Sequence, residues 1–206
     1  MNEELNNILE KVRCLYLKYG IKSVTMDDVS RELAISKKTL YQYVKDKTEL
    51  VEKVIELEIE YHGKYFQDLF SRGLSAIDEL FEVQKHVSEM IKNHNPSQDY
   101  DLKKYYPDLF QRINKIRRER MYNYILENLR KGKREGLYRN ELNEEIIAKV
   151  QLLRIEKTFD TEIFTAEEMA SAKIFYEVFI YHLRGIASEK GLEELQRKLN
   201  ELKNNI

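Results

Sequence analysis

TMDDVSRELAISKKTLYQYVKDK, residues Thr25 to Lys47, is the stretch whose reading decides the fold. It holds two short helical patterns separated by almost nothing, and a third begins at its end. Thr25 with Asp28, Ser36 with Thr39, and Asp46 with Glu49 each set a short polar side chain ahead of a helical run. The oxygen of such a side chain accepts from the free N–H groups of the first turn. Asp28 and Glu49 stand where a reciprocal capping partner belongs. The segment therefore divides into two helices of two to three turns and the start of a longer one. Val29 and Leu33 are four apart, as are Leu40 and Val44, so each short helix has one narrow buried stripe, with Ala34 and Ile35 as the turn between them.

What remains on the second helix, read as Ser36 to Val44, is Lys37, Lys38, Thr39, Tyr41, Gln42 and Tyr43. That surface is cationic, aromatic and rich in hydrogen-bonding groups, and it carries no acid. It suits a helix lying in a major groove, where ammoniums, hydroxyls and amides meet phosphates and base edges. Caps, a buried stripe and outward charges occur on any solvated helical hairpin, so the alternative is a helical adaptor that binds a protein partner through the same Lys/Tyr surface.

The composition sets the frame for that motif. A chain of 206 residues with two Pro, seven Gly, no Trp and 34% charged residues reads as nearly all helical. Charged residues interrupt every apolar run well short of the about twenty residues a membrane span needs, so no membrane partner is expected. The N-terminus MNEELNNILEK has no basic segment followed by an apolar core, and the single cysteine rules out an internal disulfide. Both point to the cytoplasm. The net charge of −1 gives no global basic signal, but from Ser36 to Lys47 four lysines stand against one aspartate. A site-specific binder needs only such a local patch.

From Ile8 to Leu57 the chain resembles the DNA-binding domain of the TetR family of bacterial transcriptional regulators. The matching residues are Gly20, Thr25, Val29, Ile35, Ser36, Thr39, Leu40, Tyr41, Lys45, Lys47 and Leu50. Ala34 departs from the usual Gly of the turn, Lys38 from a common Gly or Pro, and Val44 from a frequent Phe. The resemblance implies a repressor bound as a homodimer to a palindromic double-stranded operator, released by a small-molecule effector. By the same resemblance Lys37, Lys38, Tyr41 and Gln42 face bases, while Thr25, Thr39, Tyr43 and Lys47 contact phosphates, with Ser36 at the cap. The expected architecture is all-α, with about nine helices. Residues 1–47 form the helix-turn-helix domain and 48–206 a helical ligand-binding and dimerisation domain.

The rest of the chain is read from its periodicity. Leu5 to Tyr19 is the first helix, capped by Gly20, with Cys14 as a small packing residue. Asp46 to Phe70 carries two apolar stripes and connects the two domains. Ser75 to Asn93 follows; Asn93 to Gln98 is the one clear loop, Leu102 to Tyr106 a short helix, and Pro107 opens a helix running to about Arg134. Glu144 to Asp160 and a final helix opened by Thr165 and Glu168 come next, and Glu193 to Ile206 is a polar end. On the last helix Met169, Ala172, Tyr176, Phe179 and Leu183 repeat at alternating steps of three and four. With Val150 and Leu153 of the preceding helix they are expected to form a four-helix interface between two copies.

Catalysis finds no support in the residues. His62, His86, His94 and His182 fall on different elements, no carboxylates have metal-ligand spacing, and no glycine-rich phosphate loop exists. The chain is expected not to be an enzyme and to need no cofactor or metal. An excess of aromatic residues, together with the resemblance, points instead to an effector pocket in the second domain. Its expected lining is Phe66, His86, Met90, Phe110, Met121, Tyr122 and Phe159.

Overall fold

A computed structural model of the chain describes residues 3–93, 95–157, 165 and 172–204. Among the described residues there are ten helices. They are α1 (Glu3–Tyr19), α2 (Met26–Glu32), α3 (Lys37–Leu40), α4 (Lys47–Phe70) and α5 (Ala76–Asn93), followed by α6 (Pro96–Tyr105), α7 (Pro107–Arg134), α8 (Glu144–Lys157), α9 (Ala172–Ile186) and α10 (Glu189–Asn204). The all-α expectation holds. By packing, the chain forms two units, one of Met1–Gln67 with Ile91–Arg117 and one of Asp68–Met90 with Arg118–Ile206. This division falls elsewhere than the functional boundary expected at residue 47, because the first turns of α4 are already core of the first unit.

In the first unit Leu9, Val12 and Tyr16 of α1, Ile21 and Val24 of the turn, Val29, Leu40 and Val44 close on Leu50, Val51, Val54 and Ile55 of α4. Leu102 of α6 and Ile113 of α7 join the same core. Helix α1 ends at Gly20, whose φ of 81° is the left-handed conformation that glycine adopts without steric cost. Cys14 lies on the exposed side of α1, which corrects its reading as a packing residue.

The second unit is built on Ala76, Ile77, Leu126, Leu129, Tyr138, Ala148, Phe179, Ile180, Leu183, Leu195 and Leu199. Tyr138 packs flat over Gly132, where a β-carbon would fall 2.0 Å from the ring. Its hydroxyl, buried with it, donates to Asn128 Oδ1 at 3.0 Å. Asn128 in turn donates to Glu79 Oε2 at 3.0 Å, and Lys131 pairs with the other oxygen of Glu79 at 2.6 Å. The buried carboxylate of Glu79 is thus compensated by two donors, as a charge removed from water requires.

Three sequence expectations are corrected. Of the loop expected at residues 93–98, Asn93 closes α5 and Pro96 to Gln98 open α6, with Asn95 capping Ser97 N at 3.0 Å and Pro96 in the first turn, where a missing N–H costs nothing. The expected polar end is the helix α10, whose Leu195 and Leu199 are buried. The helix read as Ser36 to Val44 stops at Leu40. The expected extension of α8 to Asp160 and the cap at Thr165–Glu168 lie outside the described residues, except for Thr165 itself.

Candidate nucleic-acid interface

The α2–α3 segment is held by three local caps. Thr25 Oγ1 accepts from Asp28 N at 3.1 Å while Asp28 Oδ2 accepts from Thr25 N at 2.9 Å, a complete reciprocal box. The hydrogen bonds from Thr25 hold the Asp28 carboxyl below its ordinary pKa. Ser36 Oγ accepts from Thr39 N at 3.0 Å, and Asp46 Oδ1 accepts from Glu49 N at 2.9 Å. Glu49 reaches back to Lys45 N at 2.7 Å rather than to the cap residue itself.

Between the two helices the chain turns on Ala34, with φ 53°, the sole non-glycine residue at positive φ among those described. Ala34 N donates to Arg31 O at 3.1 Å and Ile35 N to Ser30 O at 3.0 Å. These are the paired bonds of a Schellman end, and they carry Ile35 back against the core beside Val29. Helix α3 then makes one turn. Beyond Leu40 the bonds tighten, with Gln42 N donating to Thr39 O and Tyr43 N to Leu40 O, each three residues back. The expected helix of Ser36 to Val44 is therefore an α-helical turn over Lys37–Leu40 continued by turns, with Val44 buried at its end.

The nine residues expected at DNA fall into two groups. Lys38, Tyr41 and Gln42 are exposed and project from the outer side of this turn. The others are engaged within the protein. Lys37 pairs with Asp27 of α2. Ser36 and Thr39 share a hydroxyl–hydroxyl bond of 2.8 Å, and Thr25 is spent on its cap. Tyr43 is half-buried, and a hydrogen bond to Glu4 raises its phenol above the ordinary range. Lys47 Nζ donates to Lys22 O at 3.2 Å; burial, then the charge of Lys22, lowers its pKa. Asp27 is the residue that reading the second helix alone missed. Its place in the first turn of α2, across from Lys37, shows only once the two helices are packed.

Residues 8–54, which hold this capped segment and the buried stripes beneath it, match the model of the bacterial regulatory proteins of the tetR family. The likeness to that family's DNA-binding domain is confined to this N-terminal part of the chain. It is 22% identical over 169 residues to an uncharacterized HTH-type transcriptional regulator of Bacillus subtilis (strain 168), YvaF, covering 82% of this chain and 88% of that one. A transcriptional regulator from Cytophaga hutchinsonii superposes with a TM-score of 0.75 at 18% identity, covering 91% of this chain and all of its own. A gamma-butyrolactone receptor, an ArpA-like protein, superposes with a TM-score of 0.62 at 12% identity, covering 99% and 98%. Residues 8–54 thus form a helix-turn-helix DNA-binding domain of the transcriptional-regulator type.

Of the expected effector residues, Phe66 and Phe110 are half-buried in the first unit, and Phe110 packs on its core. His86, Met90, Met121 and Tyr122 are half-buried in the second unit, where burial, more than the neighbouring Glu89 offsets, lowers the pKa of His86. Phe159 lies outside the described residues. Of the expected interface residues, Val150 and Leu153 are 57% and 58% exposed and Tyr176 is 44% exposed. Phe179 and Leu183 instead face their own core, where Phe179 meets Phe81 edge-on at 5.1 Å. Burial within the protomer removes these two from any surface offered to a second copy. Ala172 begins α9 and Met169 lies outside the described residues. Among the described residues no helix is long and apolar enough to cross a membrane, and no three His, Cys, Asp or Glu side chains could hold a metal.

Proposed function

We propose that the protein is a cytoplasmic repressor of the TetR type that binds a palindromic operator as a homodimer and leaves it when a small molecule binds. Each protomer would set α3 and the turn after it into one of two successive major grooves. Lys38, Tyr41 and Gln42 would read bases, and Lys37 would join them on leaving Asp27. Thr25, Thr39, Tyr43 and Lys47 would hold phosphates. The observation that carries this reading is the exposed trio Lys38, Tyr41 and Gln42 on a turn whose every other group is tied down. A rigid mount with free donors at its tip is what direct readout requires.

In this reading residues 1–47 do the DNA binding and 48–206 the sensing and pairing, without enzymatic chemistry. The outward apolar row Ile146, Val150 and Leu153 on α8 supports pairing through that helix. The likeness to a gamma-butyrolactone receptor supports a small organic effector. An effector held among the helices after residue 48 acts only by binding one disposition of the two DNA-reading turns better than another.

The test is a gel shift of the purified protein on DNA upstream of its own gene and on duplexes selected from random sequence. The pair Tyr41→Ala and Lys47→Ala is expected to weaken the shift about a hundredfold or more. Helix content and dimer mass should stay unchanged. Steep weakening of the wild-type complex with salt separates DNA binding from protein binding through the same surface. Undiminished binding by the double variant overturns the residue assignment.

A further inference from the structure

We propose that the outward face of α6, joined to the α1–α2 turn, is a second phosphate-contact surface that grips DNA flanking the half-site read by α3. The proposal rests on the DNA-binding reading above. It begins with how α6 sorts its side chains. Asp101 is buried and Asp99 half-buried, whereas Tyr100, Lys103, Lys104 and Tyr105 are exposed. The helix draws its acids inward and leaves lysines and phenol rings outside.

The inward groups fasten α6 to α1 and the α1–α2 turn. Asp101 Oδ2 accepts from Lys22 N at 2.7 Å, and Asn95 Nδ2 donates to Leu17 O at 2.8 Å. The approach at Gly20 is close enough that a β-carbon there would come within 3.0 Å of Ser97 Oγ. The negative charge of Asp101 is thereby committed to a backbone donor and does not project at the surface.

The outward groups then form one continuous strip. The Lys22 ammonium lies 4.3 Å from the centroid of the Tyr105 ring. Lys104 lies 5.4 Å from the same ring and 5.1 Å from that of Tyr100, to whose hydroxyl it donates at 2.9 Å. Rings beneath ammonium groups hold flexible lysines in place without neutralising them. The strip adjoins the proposed DNA face, because the carbonyl of Lys22 is the group that Lys47 Nζ contacts. Lysine is a point charge without the fork that selects a base edge, so an array of lysines on an exposed strip fits the sugar–phosphate backbone and adds affinity without specificity.

The experiment uses the full-length protein and a selected operator in two lengths, one ending at the half-sites and one extended by about one helical turn on each side. The wild type is expected to bind the longer duplex more tightly and with a steeper dependence of log affinity on log salt. Lys22→Gln with Lys104→Gln should bind both lengths alike, its slope on the long duplex reduced by about 0.9 for each lysine lost per protomer. Lys85→Gln, an exposed substitution in the second unit, should keep the wild-type difference. Both lysines are exposed, and unchanged melting of the variant confirms that only the surface has altered. Three results overturn the proposal: a wild type indifferent to duplex length, a double variant that keeps the full advantage of the long duplex, and loss confined to binding of phosphatidylserine vesicles. A wild type that binds neither duplex overturns the regulator reading itself.

Discussion

Ala34 occupies a position whose backbone asks for glycine. At φ 53° its β-carbon crowds the neighbouring carbonyl, a cost of about 1–2 kcal/mol for an L-residue. The conformation persists because the two Schellman bonds and the burial of Ile35 over-determine it. Ala34→Gly removes that strain and raises the entropy of the unfolded chain, which returns about 0.5–1 kcal/mol. The net expectation is a stabilisation of about 0.5–1 kcal/mol, measured by urea unfolding, with operator affinity preserved. A destabilised variant would show that the methyl group contributes packing that outweighs the strain. The departure from glycine was visible in the sequence, and its conformation followed from its place after α2. Whether the turn would keep its geometry was not visible, since that depends on what Ile35 can reach.

At the scale of elements the α8–α9 pair carries a titration signal. Burial, then the nearby positive charge of Arg154, lowers the pKa of His182 on α9 from 6.5 to about 4. The folded state therefore holds this imidazole neutral, while the unfolded chain takes up a proton below about 6.5. The sign follows. The contribution is fully present above pH 6.5 and is lost as pH falls from there towards 4, amounting to about 3 kcal/mol. Thermal melting of the wild type between these values should show the loss, and His182→Gln should flatten that part of the curve. An unchanged pH dependence in the variant would mean that other groups account for it. In the sequence His182 is legible only as one of four histidines on different elements. That Arg154 stands beside it depends on how α8 and α9 pack.

At the scale of the whole molecule, function as a repressor requires two copies in register with a two-fold operator. The exposed row Ile146, Val150 and Leu153 is the surface we assign to that pairing. Val150→Asp with Leu153→Asp places two carboxylates on it without touching the protomer core. The expected result is a monomer in sedimentation equilibrium, with affinity for the palindrome reduced to that of a single half-site. A dimer that survives the pair would transfer the interface elsewhere. The sequence reading put Phe179 and Leu183 in this interface as part of a seam with coiled-coil spacing. Their repeat was real, but a regular apolar row does not say whether its partner lies in the same chain or in another copy.

That difference runs through the molecule. Helix starts were legible because a cap is an interaction between residues three apart: Thr25 with Asp28, Ser36 with Thr39 and Asp46 with Glu49 all form as their spacing requires. The surface proposed to read DNA is likewise carried on one short segment. Where α3 ends, what α6 holds and which row of α9 turns inward were decided only in the tertiary structure. Asp101 meets Lys22 across 79 positions of sequence, and Glu194 meets Ser75 across 119. Burial and long-range pairing depend on which segments come together in space, and periodicity within one segment records only that an apolar face exists, not what covers it.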